Sequence, residues 1–152
     1  MSREWMRAAS AAVTAQDEED ALALRVFLLQ EAGEFSHESH LRVARLYLTQ
    51  LPLGAAIDRF TLDLQMFAEA QSAAQKFHAT MTVMFLLLLK ARLAGAQEDE
   101  TFDAFIARNE DLTSKAVLSN WYSADLLAQP RARREFVMPD RAPGQVAPSA
   151  VG

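Results

Sequence analysis

Seven consecutive apolar residues, Val83-Met-Phe-Leu-Leu-Leu-Leu89, lie inside a helix-favouring segment that runs from His78 to Ala94. A helix over such a run is apolar on every side, so other elements must surround it. The run is far too short to cross a bilayer, which takes about 20 apolar residues. Only more helices are on offer to surround it. Ala, Leu, Gln, Glu and Arg fill the neighbouring segments, and Gly33, Pro52, Gly54 and Gly95 separate them. No stretch alternates apolar and polar residues long enough to make a strand. The expectation is an all-α, single-domain bundle of five or six helices with a central apolar helix.

The punctuation predicts the elements. A first helix is expected over Ser2 to Thr14, with Trp5 and Met6 on its apolar side. The acidic quartet Asp17-Glu-Glu-Asp20 suits the positive N-terminal end of a second helix and reads as a solvated start, with the helix stopping at Gly33. Ser36 is an N-cap candidate for a helix from His37 to Gln50, which Pro52 ends. A helix over Ala55 to Ala74, a break near Gln75 and Lys76, the apolar helix, and a short helix over Thr101 to Arg108 follow. Asp111 to Tyr122 and Ser123 to Phe136 read as short helical pieces wrapped over the bundle. From Met138 the chain is rich in Pro and Gly and has little to bury. The domain is therefore expected to span residues 1–137, with an unstructured tail over 138–152.

Composition excludes several function classes. The chain has no cysteine, so disulfides, thiolate metal sites and thiol redox chemistry are impossible. Its net charge is −5, and only three of its 15 basic residues are lysines, which argues against nucleic acid as a ligand. Arg131, Arg133 and Arg134 form a local basic group that is expected to be exposed, with anion binding as the alternative. Glu4 and Arg7 interrupt the N-terminal stretch where a secretory signal needs continuous apolar sequence. A soluble, cytoplasmic protein with no membrane partner is expected. Gly-rich phosphate loops and nucleophile motifs are absent from the sequence.

The candidate site rests on the three histidines, His37, His40 and His78. His37 and His40 are three residues apart, about 60° around a helix, so they share a face that continues as Leu41, Ala44 and Leu48. His78 opens the apolar helix, on a face that continues as Met81, Thr82, Phe85 and Leu89. Each histidine thus stands at the start of a stripe directed at the core. If the two helix starts are neighbours, three imidazoles converge. They could hold a divalent metal ion with an open position for substrate, or transfer protons without metal. The competing explanation is that they bond backbone groups and nearby carboxylates and are structural. Tyr47, Thr82 and Trp121 are the expected polar and aromatic walls of the pocket.

From Phe35 to Arg141 the chain carries a dispersed pattern. It runs Phe35-x-His37-x-x-His40-Leu41 with Ala44 and Tyr47-Leu48, then Lys76-Phe77-His78-x-Thr80-x-Thr82. It continues as Phe102-x-x-Phe105-x-x-x-Asn109, Trp121-Tyr122-Ser123 and Phe136-x-x-Pro139-Asp140. This resembles a family of small all-helical bacterial proteins of uncharacterised activity, over about two-thirds of the chain. The resemblance implies that His37, His40 and His78 act as one site. The family's central motif reads Tyr-His-Glu-Thr, whereas this chain has Phe77 and Ala79 in place of the tyrosine and the glutamate. The functional expectation is a small-molecule enzyme or ligand-binding protein with a histidine-lined pocket. The alternative is a non-catalytic helical interaction protein, a homodimer, in which the histidines are structural.

Overall fold

The computed structural model describes residues 12–25 and 36–142. The helix expected over Ser2 to Thr14, the stop at Gly33 and the tail beyond residue 142 lie outside the described residues, except that Ala12 to Thr14 are not helical. The described residues form seven α-helices and three 3-10 turns, with no strand among them. The protein is all-α. Four helices carry the bundle: α1 (Ala15–Arg25), α2 (His37–Gln50), α3 (Leu53–Ala70) and α4 (Ala79–Leu93). Three short ones follow, α5 (Phe102–Ala107), α6 (Ala124–Leu127) and α7 (Pro130–Arg134).

α2 begins and ends as its sequence predicts. The Ser36 hydroxyl accepts from the Ser39 N–H at 3.1 Å, satisfying one of the unpaired donors at the helix start. Pro52 stops the helix and stands at the N-cap of α3. α3 buries Ala56, Phe60, Leu64, Phe67 and Ala68, a stripe at three- and four-residue spacing. Just beyond its end Ser72, with a φ of 56°, lies in the left-handed region. There Ala73 N–H donates to Ala68 C=O and Ser72 N–H to Glu69 C=O, closing the helix end.

α4 supplies the buried leucines expected of the apolar run, with Leu86 and Leu89 fully enclosed. It is not covered on all sides, because Val83 and Leu87 are only half-buried. α2 is enclosed to a similar degree, with every residue from Leu41 to Leu48 buried, and it packs against α1, α3 and α4. Two arginines in that stretch hide its central position from a reading of hydropathy.

The acidic quartet departs from expectation. Asp17 and Asp20 are 1% and 2% exposed, and only Glu18 and Glu19 face outward. Helical spacing explains it, since Asp17, Asp20, Ala21 and Leu24 share the face of α1 that meets α2. There Arg42 donates to the Asp17 carboxylate at 2.9 Å, and its Nε lies 3.7 Å from Asp20. The guanidinium sits over the Phe102 ring at 4.4 Å. Asp17 also accepts from the Thr14 N–H while its own N–H donates to the Thr14 hydroxyl, a reciprocal cap.

Beyond α4 the chain wraps over the bundle in short pieces. Phe102 and Phe105 on α5 are fully buried. The 3-10 turns Glu110–Thr113 and Lys115–Asn120 lead to α6 and α7. The buried Thr80 hydroxyl fastens this wrap to α4, donating to Ala132 C=O at 2.6 Å and accepting from the Val137 N–H at 3.1 Å. The fastening continues past the composition change at Met138. Asp140 accepts from the Ser123 N–H and hydroxyl, and the Arg141 N–H donates to Trp121 C=O.

Candidate histidine cavity

α3 carries the chain back along the bundle, so α2 and α4 start at the same end and pack side by side. Between their first turns and α3 lies a cavity of about 610 Å³ whose lining includes His37, His40 and His78. Leu41 and Ala44 of α2, Phe60, Leu64 and Phe67 of α3, and Met81 and Phe85 of α4 form its apolar walls. Ser36, Gln71 and Thr82 add polar atoms, and Lys76, Lys115 and Arg133 stand at its edge as exposed cations.

His78 is the N-cap of α4. Its Nδ1 accepts from the Met81 N–H at 3.1 Å, and its Nε2 lies 2.9 Å from Leu127 C=O. A carbonyl only accepts, so the proton is on Nε2 and both ring nitrogens are engaged by backbone. His37 puts Nε2 3.0 Å from Leu112 C=O, which fixes the same tautomer and leaves the lone pair on Nδ1. Its ring packs edge-on against Phe85, with centroids 4.9 Å apart. His40 follows one turn later.

All three imidazoles titrate below their ordinary range. Burial pushes His40 down to about 3, with the neighbouring His37 and Lys115 adding to it. Burial is also the main cause at His37, opposed by its bond to Leu112 and reinforced by Lys115. At His78 burial again leads, opposed by the bond to Leu127 and reinforced by Arg133 and Lys115. The cavity therefore holds neutral histidines at neutral pH.

This has a measurable consequence. An imidazole whose folded pKa of about 3 lies below its ordinary value of 6.5 binds fewer protons in the native state than in the unfolded chain. Its contribution to stability is complete above pH 6.5 and is lost as the pH falls toward about 3. At roughly 1.4 kcal/mol per pH unit, discounted for the opening to water, His40 accounts for about 1–2 kcal/mol between pH 6.5 and 5. His40→Gln is expected to flatten that part of the curve in urea unfolding at several pH values. A slope identical to that of the parent protein would show that His40 is not held neutral by burial.

The expected metal set, His37, His40 and His78, does not assemble. Among the described residues no group of three or more His, Cys, Asp or Glu side chains could hold a metal ion. The physical reason begins at His78, which would have to give up its helix cap or its bond to Leu127 to bind one. Of the three expected walls, Thr82 lines the cavity, its hydroxyl donating back to His78 C=O at 2.8 Å. Tyr47 and Trp121 do not. The Tyr47 hydroxyl donates to Asp63 at 2.6 Å and its ring packs edge-on against Phe60, and Trp121 packs against the core elsewhere. Lys76, Lys115 and the phenylalanines of α3 were not expected at the site. Arg133 belongs to the basic group for which anion binding was the alternative.

Comparison with protein-family models, with curated proteins and with solved structures gives no match to this chain. Among the described residues no helix is long and apolar enough to cross a membrane.

Proposed function

We propose that the chain is a small-molecule binding protein or enzyme that uses the His37–His40–His78 cavity for acid–base chemistry on a small organic ligand. The observation that carries this reading is that one cavity of about 610 Å³ takes all three histidines of the chain into its lining. That volume is in the range of pockets that hold metabolite-sized ligands, and apolar walls with a few convergent polar groups are their usual make-up. Within it the roles divide. His78 orients α4 and has no nitrogen to spare. His40 is too weak a base to abstract protons near neutral pH, because an effective base has a pKa close to the working pH. His37 keeps a lone pair on Nδ1 and is the proton acceptor in this reading. Metal-assisted chemistry has less support, because His78 is committed to backbone. The competing homodimer reading draws on Leu62 and Met66, which are exposed one turn apart on α3.

The neutral, apolar fluorophore N-phenyl-1-naphthylamine tests the pocket without presupposing a ligand charge. Saturable one-to-one binding is expected, together with shifts of the His37 and His40 ring signals in long-range proton–nitrogen spectra. Ala44→Trp fills the cavity and is expected to abolish both effects while circular dichroism stays helical. Absence of saturable binding, or binding that leaves the histidine signals unmoved, would overturn the reading.

A further inference from the structure

The charge around the cavity is opposite to that of the protein. The chain has 20 acidic and 15 basic residues, yet among the described residues no Asp or Glu lines the cavity, while Lys76, Lys115 and Arg133 do. Two of the three lysines in the whole sequence thus line this one cavity. Elsewhere four arginines are balanced by carboxylates, whereas Arg45, Arg59, Arg134 and Arg141 have none within 4 Å among the described residues. Arg42, Arg92, Arg108 and Arg131 each meet a carboxylate within 4 Å, the bonds to Asp111 and Glu100 being made by two nitrogens. Among the described residues none of the three cavity cations has an acidic partner. Arg133 is held by Gln75 C=O and Phe77 C=O, which aim no negative charge at it beyond their dipoles. The field of Lys115 reaches all three histidines, so its charge is felt across the cavity.

Three unbalanced cations around a low-dielectric hollow focus a positive potential on its opening, the arrangement that selects an anion. Behind them Phe60, Phe67, Phe77, Met81 and Phe85 make the apolar part of the lining, with no second charged cluster among the described residues. A small inorganic anion would leave those walls uncovered, and a neutral apolar molecule would leave the cations unmatched. We infer that the cavity takes an amphipathic organic anion, with a carboxylate or phosphate-monoester head between Lys76, Lys115 and Arg133 and an apolar body between the phenylalanines of α3 and α4. This names the ligand class of the proposed function and rests on that reading.

The test uses four probes with one ten-carbon chain, namely decanoate, decyl phosphate, decanol and decyltrimethylammonium, each kept below its micelle threshold. Each is titrated by calorimetry into the full chain and into a Lys76→Gln/Lys115→Gln variant. Neither lysine makes a described hydrogen bond, so the variant keeps the fold. At least one of the two anions is expected to bind 10-fold or more tightly than decanol. The variant is expected to lose at least 10-fold for that anion and to leave decanol unchanged. The tighter of the two anions identifies the head group. Decanol binding as tightly as both anions, or a variant indistinguishable from the parent, overturns the anion assignment and leaves the pocket itself standing. A preference for decyltrimethylammonium overturns it as well. Failure of all four probes, alongside failure of the neutral fluorophore, removes the pocket and the ligand class together.

Discussion

Arg42→Ala is expected to lower the free energy of unfolding by about 3–5 kcal/mol, a large part of what a domain of this size has. Arg42 is 7% exposed, and its guanidinium meets Asp17 and Asp20, which are buried almost completely. The substitution takes away the guanidinium that bonds Asp17 and faces Asp20 in an enclosed site, which costs far more than the pair contributes to stability when intact. Asp103, at 3.4 Å, adds little, because its side chain is 83% exposed to water. The lost stacking over Phe102 adds to the effect. A second variant separates the charge from the packing. Arg42→Met together with Asp17→Asn and Asp20→Asn is expected to recover much of the loss, since no unpaired charge remains. Urea denaturation of the three proteins decides it. A loss under about 1 kcal/mol for Arg42→Ala would mean that α1 does not seal this face of α2.

Leu86→Asp is expected to abolish folding or to cost more than about 4 kcal/mol, while Leu87→Asp one position away costs much less. Leu86 is completely enclosed, so an aspartate there either stays charged without a partner or takes up a proton in an apolar site. Leu87 is half-buried and its carboxylate can reach water. The contrast matters more than either value, because any apolar helix tolerates aspartate poorly somewhere. Thermal unfolding of the two variants is the readout. Similar losses at both positions would show that α4 is enclosed on all sides, as its hydropathy alone suggests.

The sequence made the elements legible where punctuation and periodicity agreed. Ser36 and Pro52 bracket α2, and the 102/105 spacing of the phenylalanines on α5 marks its buried face. The three histidines that line the cavity each begin a stripe directed at the core, which the spacing makes legible. The sequence failed where polar residues go inside. Asp17 and Asp20 read as a solvated helix start because nothing local reveals that Arg42, 25 residues from Asp17, faces them. Tyr47 shares the core-directed side of α2, but its hydroxyl finds Asp63 on α3. The cations were the hardest to foresee. Lys115 reaches the histidines only because the chain returns to bond His37 through Leu112, 75 residues away. No spacing rule encodes a return of that length.

The wrap that follows α5 serves the cavity as well as the shape of the bundle. None of its elements, from Glu110 to Arg134, is longer than six residues, and helices so short do not hold themselves in water. They persist by lying against the bundle, where Leu112, Leu118, Tyr122 and Ala132 are buried. The wrap contains Lys115, Arg133 and the Leu112 and Leu127 carbonyls that orient His37 and His78. The charge at the edge of the cavity and the orientation of two of its histidines thus depend on one docked stretch of chain.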